Sequence, residues 1–174
     1  RKAGVQAMVE GPGHVPMNEI EMNMKREQEV CGDAPFYILG PVVIDCAPGY
    51  DHLVASMGGM LGAYYGAAML CYVTPKEHIG LPNNEDVRRG VVAFKIAAHA
   101  ADIGLSKPGA RDRDKQFSHA IDEDRARAYR ADAIRESSAE EIARKHDGKY
   151  CTMCGPDFCS VRISARLKEA MKQE

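Results

Sequence analysis

Three times within residues 1–106 a short apolar run ends in a Gly- or Pro-containing loop that opens into a helical pattern. This repetition limits the fold more than any other feature of the chain. Residues 5–9 alternate small and apolar groups and stop at Glu10-Gly11-Pro12-Gly13-His14, as a buried strand stops in a turn. Asn18 with Glu21 has capping-box spacing and predicts the helix that follows. Phe36 to Leu39 is a second strand, followed by a loop through Pro48-Gly49-Tyr50-Asp51-His52 and a helix of small residues to about Gly66. Met69 to Val73 is a third. After Thr74-Pro75-Lys76-Glu77-His78 the pattern predicts a helix capped by Asn84, with Glu85 and Asp86 in its first turn and an apolar stripe of Val87, Val91, Phe94, Ala98, Ala101 and Leu105. Strand, loop and helix in succession are the grammar of βα units on a parallel sheet, so the fold class is α/β. Three strands cannot close a barrel, which needs eight. At Lys107-Pro108-Gly109 the texture turns to charged helical segments, with Ser138 and Glu141 at capping-box spacing. A final amphipathic helix, Ser160 to Lys172, carries Ile163, Leu167 and Met171. The expected organisation is βα units over 1–106 and a helical arm over 107–174.

Of the 174 residues, 45% are hydrophobic and 28% charged, the balance of a globular chain with a sizeable core. Net charge is -2, and the dense stretch Arg111 to Arg135 alternates signs, so no cationic face for nucleic acid is expected. Leu53 to Val73 is broken by Gly58, Gly59, Gly62 and Gly66 and reads as a buried helix entering a strand, not as a membrane span. The chain starts at Arg1 and carries no leader-like segment, which reads as processing or fragmentation. Six cysteines, three scattered and three clustered, do not resemble a secreted disulfide framework and suit a reducing cytoplasm.

The clustered three lie in YCTMCGPDFCS, spaced CxxCxxxxC: Cys151, Cys154 and Cys159. Thiolates bind soft metals, and Gly155-Pro156 turns the chain so that the third can join the first two. Four readings stand side by side. A redox CxxC expects a strand before it and leaves Cys159 without a task. A structural zinc site needs a fourth ligand, which His146, Cys31, Cys46 or Cys71 would supply. Three unligated cysteines suit a helix interior better than a Gly-Pro turn. The fourth reading is a [4Fe-4S] cluster with one iron left open, where S-adenosylmethionine would bind and be cleaved to a radical.

In sheets of this kind chemistry collects at the carboxyl ends of the strands. Glu10, His14, Tyr37 and His78 all fall there. A single loop histidine is more often a hydrogen-bonding group than a ligand, but His14 and His78 on neighbouring loops would share a divalent metal with water or substrate in its open positions. Gly11-Pro12-Gly13 forbids the helical arrangement of a zinc protease, which leaves Glu10 as a substrate acceptor or general base. Tyr37 offers a ring and a hydroxyl to a heterocycle, or is a buried strand tyrosine. Cys71 is expected in the core; if it faced the mouth it would relay a hydrogen atom. His52, His99 and His119 are read as structural, and Met22, Met24, Met57, Met60 and Met69 as packing.

Five stretches, MVEGPGHVP, APFYILGP, APGYDH, AMLCYVTPKEH and CTMCGPDFCS, in this order, resemble the phosphomethylpyrimidine synthase family of thiamine biosynthesis, noncanonical radical-SAM enzymes. The resemblance is dense over about 5–104 and again over 150–163. It implies the last three βα units of a (β/α)8 barrel, of the TIM type, followed by a small helical iron-sulfur region. It implies conversion of 5-aminoimidazole ribotide to 4-amino-5-hydroxymethyl-2-methylpyrimidine phosphate, with release of carbon monoxide and formate.

By motif, the resemblance makes Glu10 and Tyr37 substrate-binding residues; Glu10 and Cys71 remain the catalytic candidates of the residue reading above. It makes Cys151, Cys154 and Cys159 the [4Fe-4S] ligands, and His14 and His78 the ligands of a second metal, zinc or Fe2+. The partners it implies are the ribotide, a reducing electron donor and a second protomer whose active site the cluster arm covers; a membrane is not among them. The family's barrel begins upstream of this chain's first strand, so the chain by itself is expected not to catalyse.

Overall fold

The computed structural model describes residues 2–118 and 155–172. They fall into two compact units, Arg1–Lys107 and Pro108–Glu174.

In the first unit, three short strands, β1 (Val9–Glu10), β2 (Phe36–Leu39) and β3 (Met69–Cys71), form one parallel sheet in the order β1-β2-β3. The register pairs Val9 with Phe36 and Glu10 with Tyr37, then Tyr37 with Met69 and Leu39 with Cys71. Two crossover helices, α1 (Ile20–Cys31) and α2 (Asp51–Tyr64), connect the strands, and α3 (Asn84–Gly104) follows β3. α2 packs against both α1 and α3. This is the α/β order that the repeated grammar predicts.

Alternation along β2 decides what each face of the sheet carries. Phe36 and Ile38 are buried and join Val15, Ile20 and Met24 in one apolar cluster. Val42, Val54, Ala55, Val73, Ala93 and Phe94 form the other. Burying a side chain the size of Ile38 contributes about 1.5–3 kcal/mol, which fixes the strand's register against α1. The small residues of α2 serve close approach: a methyl group at Gly58 would overlap the Pro41 carbonyl oxygen. The helix therefore rests directly on the backbone that leaves β2.

Several local expectations are corrected. The strand before Glu10 is Val9–Glu10 alone: the Val9 N–H donates to the Pro35 carbonyl at 2.9 Å, at the entry to β2, and Val5 and Met8 are exposed. Asn18 caps nothing: a 3-10 turn, Met17–Glu19, precedes α1, and Asn23 donates to the Glu19 carbonyl instead. The cap of α3 is Asn83, not Asn84; its side chain accepts from the Asp86 N–H at 2.9 Å while Asp86 accepts from the Asn83 N–H at 3.0 Å. The buried face of α3 runs through Asp86, Gly90, Ala93, Phe94, Ala97 and Ala101, while Leu105 is exposed. Size explains that rotation. A Cβ on Gly90 would lie 2.5 Å from the Val73 carbonyl oxygen, so the tight contact selects small residues where the pattern highlights large ones. Of the methionines read as packing, Met24 is buried, whereas Met22, Met57, Met60 and Met69 are exposed.

In the second unit the described elements are α4 (Ala110–Ser118), a single turn α5 (Gly155–Phe158) and α6 (Ser160–Ala170). The stripe Ile163, Leu167 and Met171 is exposed, not packed. Ser138, Glu141, His119 and His146 lie outside the described residues. No helix among the described residues is long and apolar enough to cross a membrane.

Candidate active site

Of the polar side chains singled out in the sequence, His14 and His78 lie in loops that leave the strands, Glu10 and Cys71 end β1 and β3, and Tyr37 lies within β2, short of the carboxyl end expected for it. Glu10 ends β1, exposed, and its register partner across the pair is Tyr37. Tyr37 is half-buried on the face opposite Phe36 and Ile38. The Cys71 thiol beside it first, then burial and the neighbouring Cys71 and Glu10 charges, push the phenol up to about 12. Cys71 is half-buried and donates to the Tyr72 carbonyl at 3.7 Å. It is absent from both apolar clusters: register with Leu39 places it on the Tyr37 face, which corrects its expected place in the core. Glu10, Tyr37 and Cys71 thus share one face.

His14 is held by its backbone. It makes a parallel bridge with Val42, flanked by Val42 N–H to the Gly13 carbonyl at 2.8 Å and Val15 N–H to the Val42 carbonyl at 3.3 Å. Val15 and Val42 are both buried, so the bridge is anchored on the core. His78 closes a turn organised by buried Thr74, whose hydroxyl accepts from the Lys76 N–H at 3.2 Å and whose carbonyl accepts from the Glu77 N–H at 3.2 Å. The backbone of His78 is left-handed, φ 60°, a conformation uncommon outside glycine that costs on the order of 1 kcal/mol. These two constraints bring the rings close together: their centroids are 5.3 Å apart and the planes are tilted by 43°. A tetrahedral ion about 2 Å from a nitrogen of each ring would hold the centroids about 5 Å apart. The pair therefore fits a shared divalent metal. Among the described residues no group of three His, Cys, Asp or Glu side chains is arranged to hold a metal ion, so such an ion would complete its shell from solvent or substrate.

The sequence reading missed Asp45. It lies in the loop after β2 and its Oδ1 is 3.1 Å from the His14 Nδ1. The signal available was position alone: a carboxylate on the middle of three strand-end loops whose neighbours both carry histidine. His52 stays structural in character, its Nδ1 buried without a partner among the described residues and its pKa lowered chiefly by that burial.

Cys159 is 1% exposed and stands at the N-cap of α6, with extended backbone and no side-chain cap bond. Cys151 and Cys154 lie outside the described residues. Gly155, at φ 65°, takes the left-handed turn that the Gly-Pro step predicts between Cys154 and Cys159.

A family model described as the Radical SAM ThiC family matches residues 1–166. The chain belongs to that family. The match covers the whole of the first unit and the second as far as residue 166, and it takes in all five motifs of the sequence analysis. Radical SAM ThiC proteins make the thiamine pyrimidine, so the chain is assigned to radical-SAM chemistry in that synthesis. The assignment brings with it an iron-sulfur cluster, S-adenosylmethionine, a small-molecule substrate and an electron donor.

Proposed function

We propose that the three βα units belong to a (β/α)8 barrel whose mouth binds 5-aminoimidazole ribotide, and that the chemistry is its rearrangement to 4-amino-5-hydroxymethyl-2-methylpyrimidine phosphate with release of carbon monoxide and formate. In reaction class this is a carbon-carbon lyase. The observation that carries the reading is the placement of Glu10 beside Tyr37 on one face of the sheet and of His14 beside His78 on loops that follow its strands, inside a chain of the Radical SAM ThiC family.

In this reading Cys151, Cys154 and Cys159 would hold a [4Fe-4S] cluster that leaves room for S-adenosylmethionine. When bound, the cluster supplies the electron that cleaves the sulfonium and yields a carbon-centred radical. The chain's own residues do the rest. Glu10 accepts hydrogen bonds from the amino group of the substrate; Tyr37, protonated at every physiological pH, donates from its hydroxyl and stacks its ring. Cys71, on the same face of the sheet as that hydroxyl, is the candidate hydrogen-atom relay. His14 and His78 hold a divalent metal, zinc or Fe2+, with open positions for substrate. The arm over 107–174 covers the site of a second protomer and excludes water from it.

The test is anaerobic. Iron, sulfide and zinc are quantified, and electron paramagnetic resonance of the reduced protein is recorded with and without S-adenosylmethionine. A cluster signal that shifts on addition of the cofactor is expected, and zinc without sulfide would overturn the cluster assignment. In protein carrying the whole barrel, Cys154→Ala abolishes S-adenosylmethionine cleavage and leaves ribotide binding intact. Loss of both together would sink the separation of cluster arm from substrate mouth.

A further inference from the structure

The histidine pair has a third member that the reading above does not use. His14 Nδ1 and Asp45 Oδ1 are 3.1 Å apart. Their side chains are 51% and 82% exposed, and an ion pair of that kind contributes little to stability, from nothing to about 1 kcal/mol. Its consequence is chemical. A carboxylate only accepts, so the proton shared with it sits on Nδ1 and the free lone pair of the ring sits on Nε2. Neutral histidine divides its proton between the two nitrogens, and a metal ligand needs one of them bare.

The backbone keeps the two groups together. The His14–Val42 bridge ties the loop after β1 to the loop after β2, three residues before Asp45. α2 in turn rests on Pro41 in that second loop. The carboxylate thus meets the ring from a segment braced on the core, which lowers the entropy cost that usually cancels an exposed pair. On its other side the ring faces His78.

We propose that Asp45 is the positioning residue of the histidine pair: its carboxylate holds His14 in the Nδ1–H form, so that Nε2 is presented as the ligand for a divalent cation shared with His78. The inference rests on the two-histidine metal reading and adds to it a group that never touches the metal.

Two measurements on the full chain test it. Co2+ is titrated in and followed by its d–d absorption, while thiolate-to-cobalt charge transfer reports any binding at the cysteine loop separately. The tautomer of His14 is read in metal-free protein by long-range 15N–1H correlation. His14→Ala removes the histidine-site signal. Asp45→Ala weakens Co2+ binding about 10–100-fold and moves the His14 proton onto Nε2. Asp45→Asn keeps a carbonyl oxygen as acceptor, retains the Nδ1–H form and weakens binding less than 10-fold, since only the basicity of the acceptor falls. Unchanged affinity and tautomer in Asp45→Ala, with loss in His14→Ala, would overturn the positioning role and leave the metal reading standing. Equal weakening in Asp45→Ala and Asp45→Asn with the tautomer unmoved would make Asp45 a ligand, which also overturns it. If His14→Ala left Co2+ binding untouched, the two-histidine site itself would fall.

Discussion

Phe36 and Ile38 are 6% and 0% exposed and sit in a cluster with Ile20 and Met24; Tyr37, between them, is half-buried on the other face beside Glu10 and Cys71. Neighbours in one strand thus meet opposite environments, because successive side chains point to opposite faces. The helix-covered face is closed by large apolar groups and by helices that approach to backbone contact. The other face keeps hydroxyl, thiol and carboxylate within reach of one another. The difference separates stability from chemistry within a few residues, so a substitution can be aimed at one without the other.

The largest effect is expected on the covered face. Ile38→Ala removes a fully buried side chain and should cost about 2–5 kcal/mol, read as a lower midpoint in urea denaturation. A change below 1 kcal/mol would mean that α1 does not rest on this strand. Next comes the cap of α3, which frames the same face: Asn83→Ala loses the reciprocal bonds with Asp86 and should cost about 1 kcal/mol. Asn84→Ala, one residue on, should cost clearly less, and the reverse ranking would reinstate the cap expected from the sequence.

On the open face Tyr37→Phe should cost only about 0.5–1 kcal/mol, while weakening ribotide binding in protein that carries the whole barrel. The phenol itself gives a sharper handle. Its folded value is raised to about 12, against about 10 for an unfolded tyrosine, so the folded state holds the proton more tightly. Any stability it contributes is complete below pH 10 and is lost as pH rises from 10 towards 12. Selective 13C labelling should show Tyr37 un-ionised at pH 11. Cys71→Ala removes the leading cause and should bring the titration down. If it does not, the thiol is not what raises the phenol.

The smallest effect belongs away from both faces. Glu85 is paired with Arg88 and Arg89, and those bonds hold its carboxyl at about 2. Because the value is depressed, whatever it contributes is present above the unfolded pKa and lost as pH falls from the ordinary carboxylate range towards 2. The group is exposed and screened, so Glu85→Gln should leave the melting temperature unchanged within error in physiological salt.

His14 and His78 were legible as loop residues because each follows a strand in a motif with glycine or proline beside it, whereas Glu10 ends β1 and Tyr37 lies within β2, short of its carboxyl end. The order of elements in the first unit was legible for a related reason: strand, loop and helix each have their own local periodicity. Asp45 was not, since an aspartate in a loop has no pattern of its own; it acquires a role only when the His14–Val42 bridge brings two loops side by side. The face of α3 was misread because apolar periodicity weighs large residues, whereas contact with the Val73 backbone is made through Gly90 and the alanines.

By itself the sequence determined the α/β succession, the cysteine spacing and the membership of the Radical SAM ThiC family, because these reside in residue identity and in spacing along the chain. Only the tertiary structure decided that His14 and His78 lie ring to ring, that Asp45 stands behind one of them, and that Cys71 shares a face with Tyr37. Those are distances between residues far apart in sequence, set by strand register and by helices resting on backbone, and no local pattern encodes them.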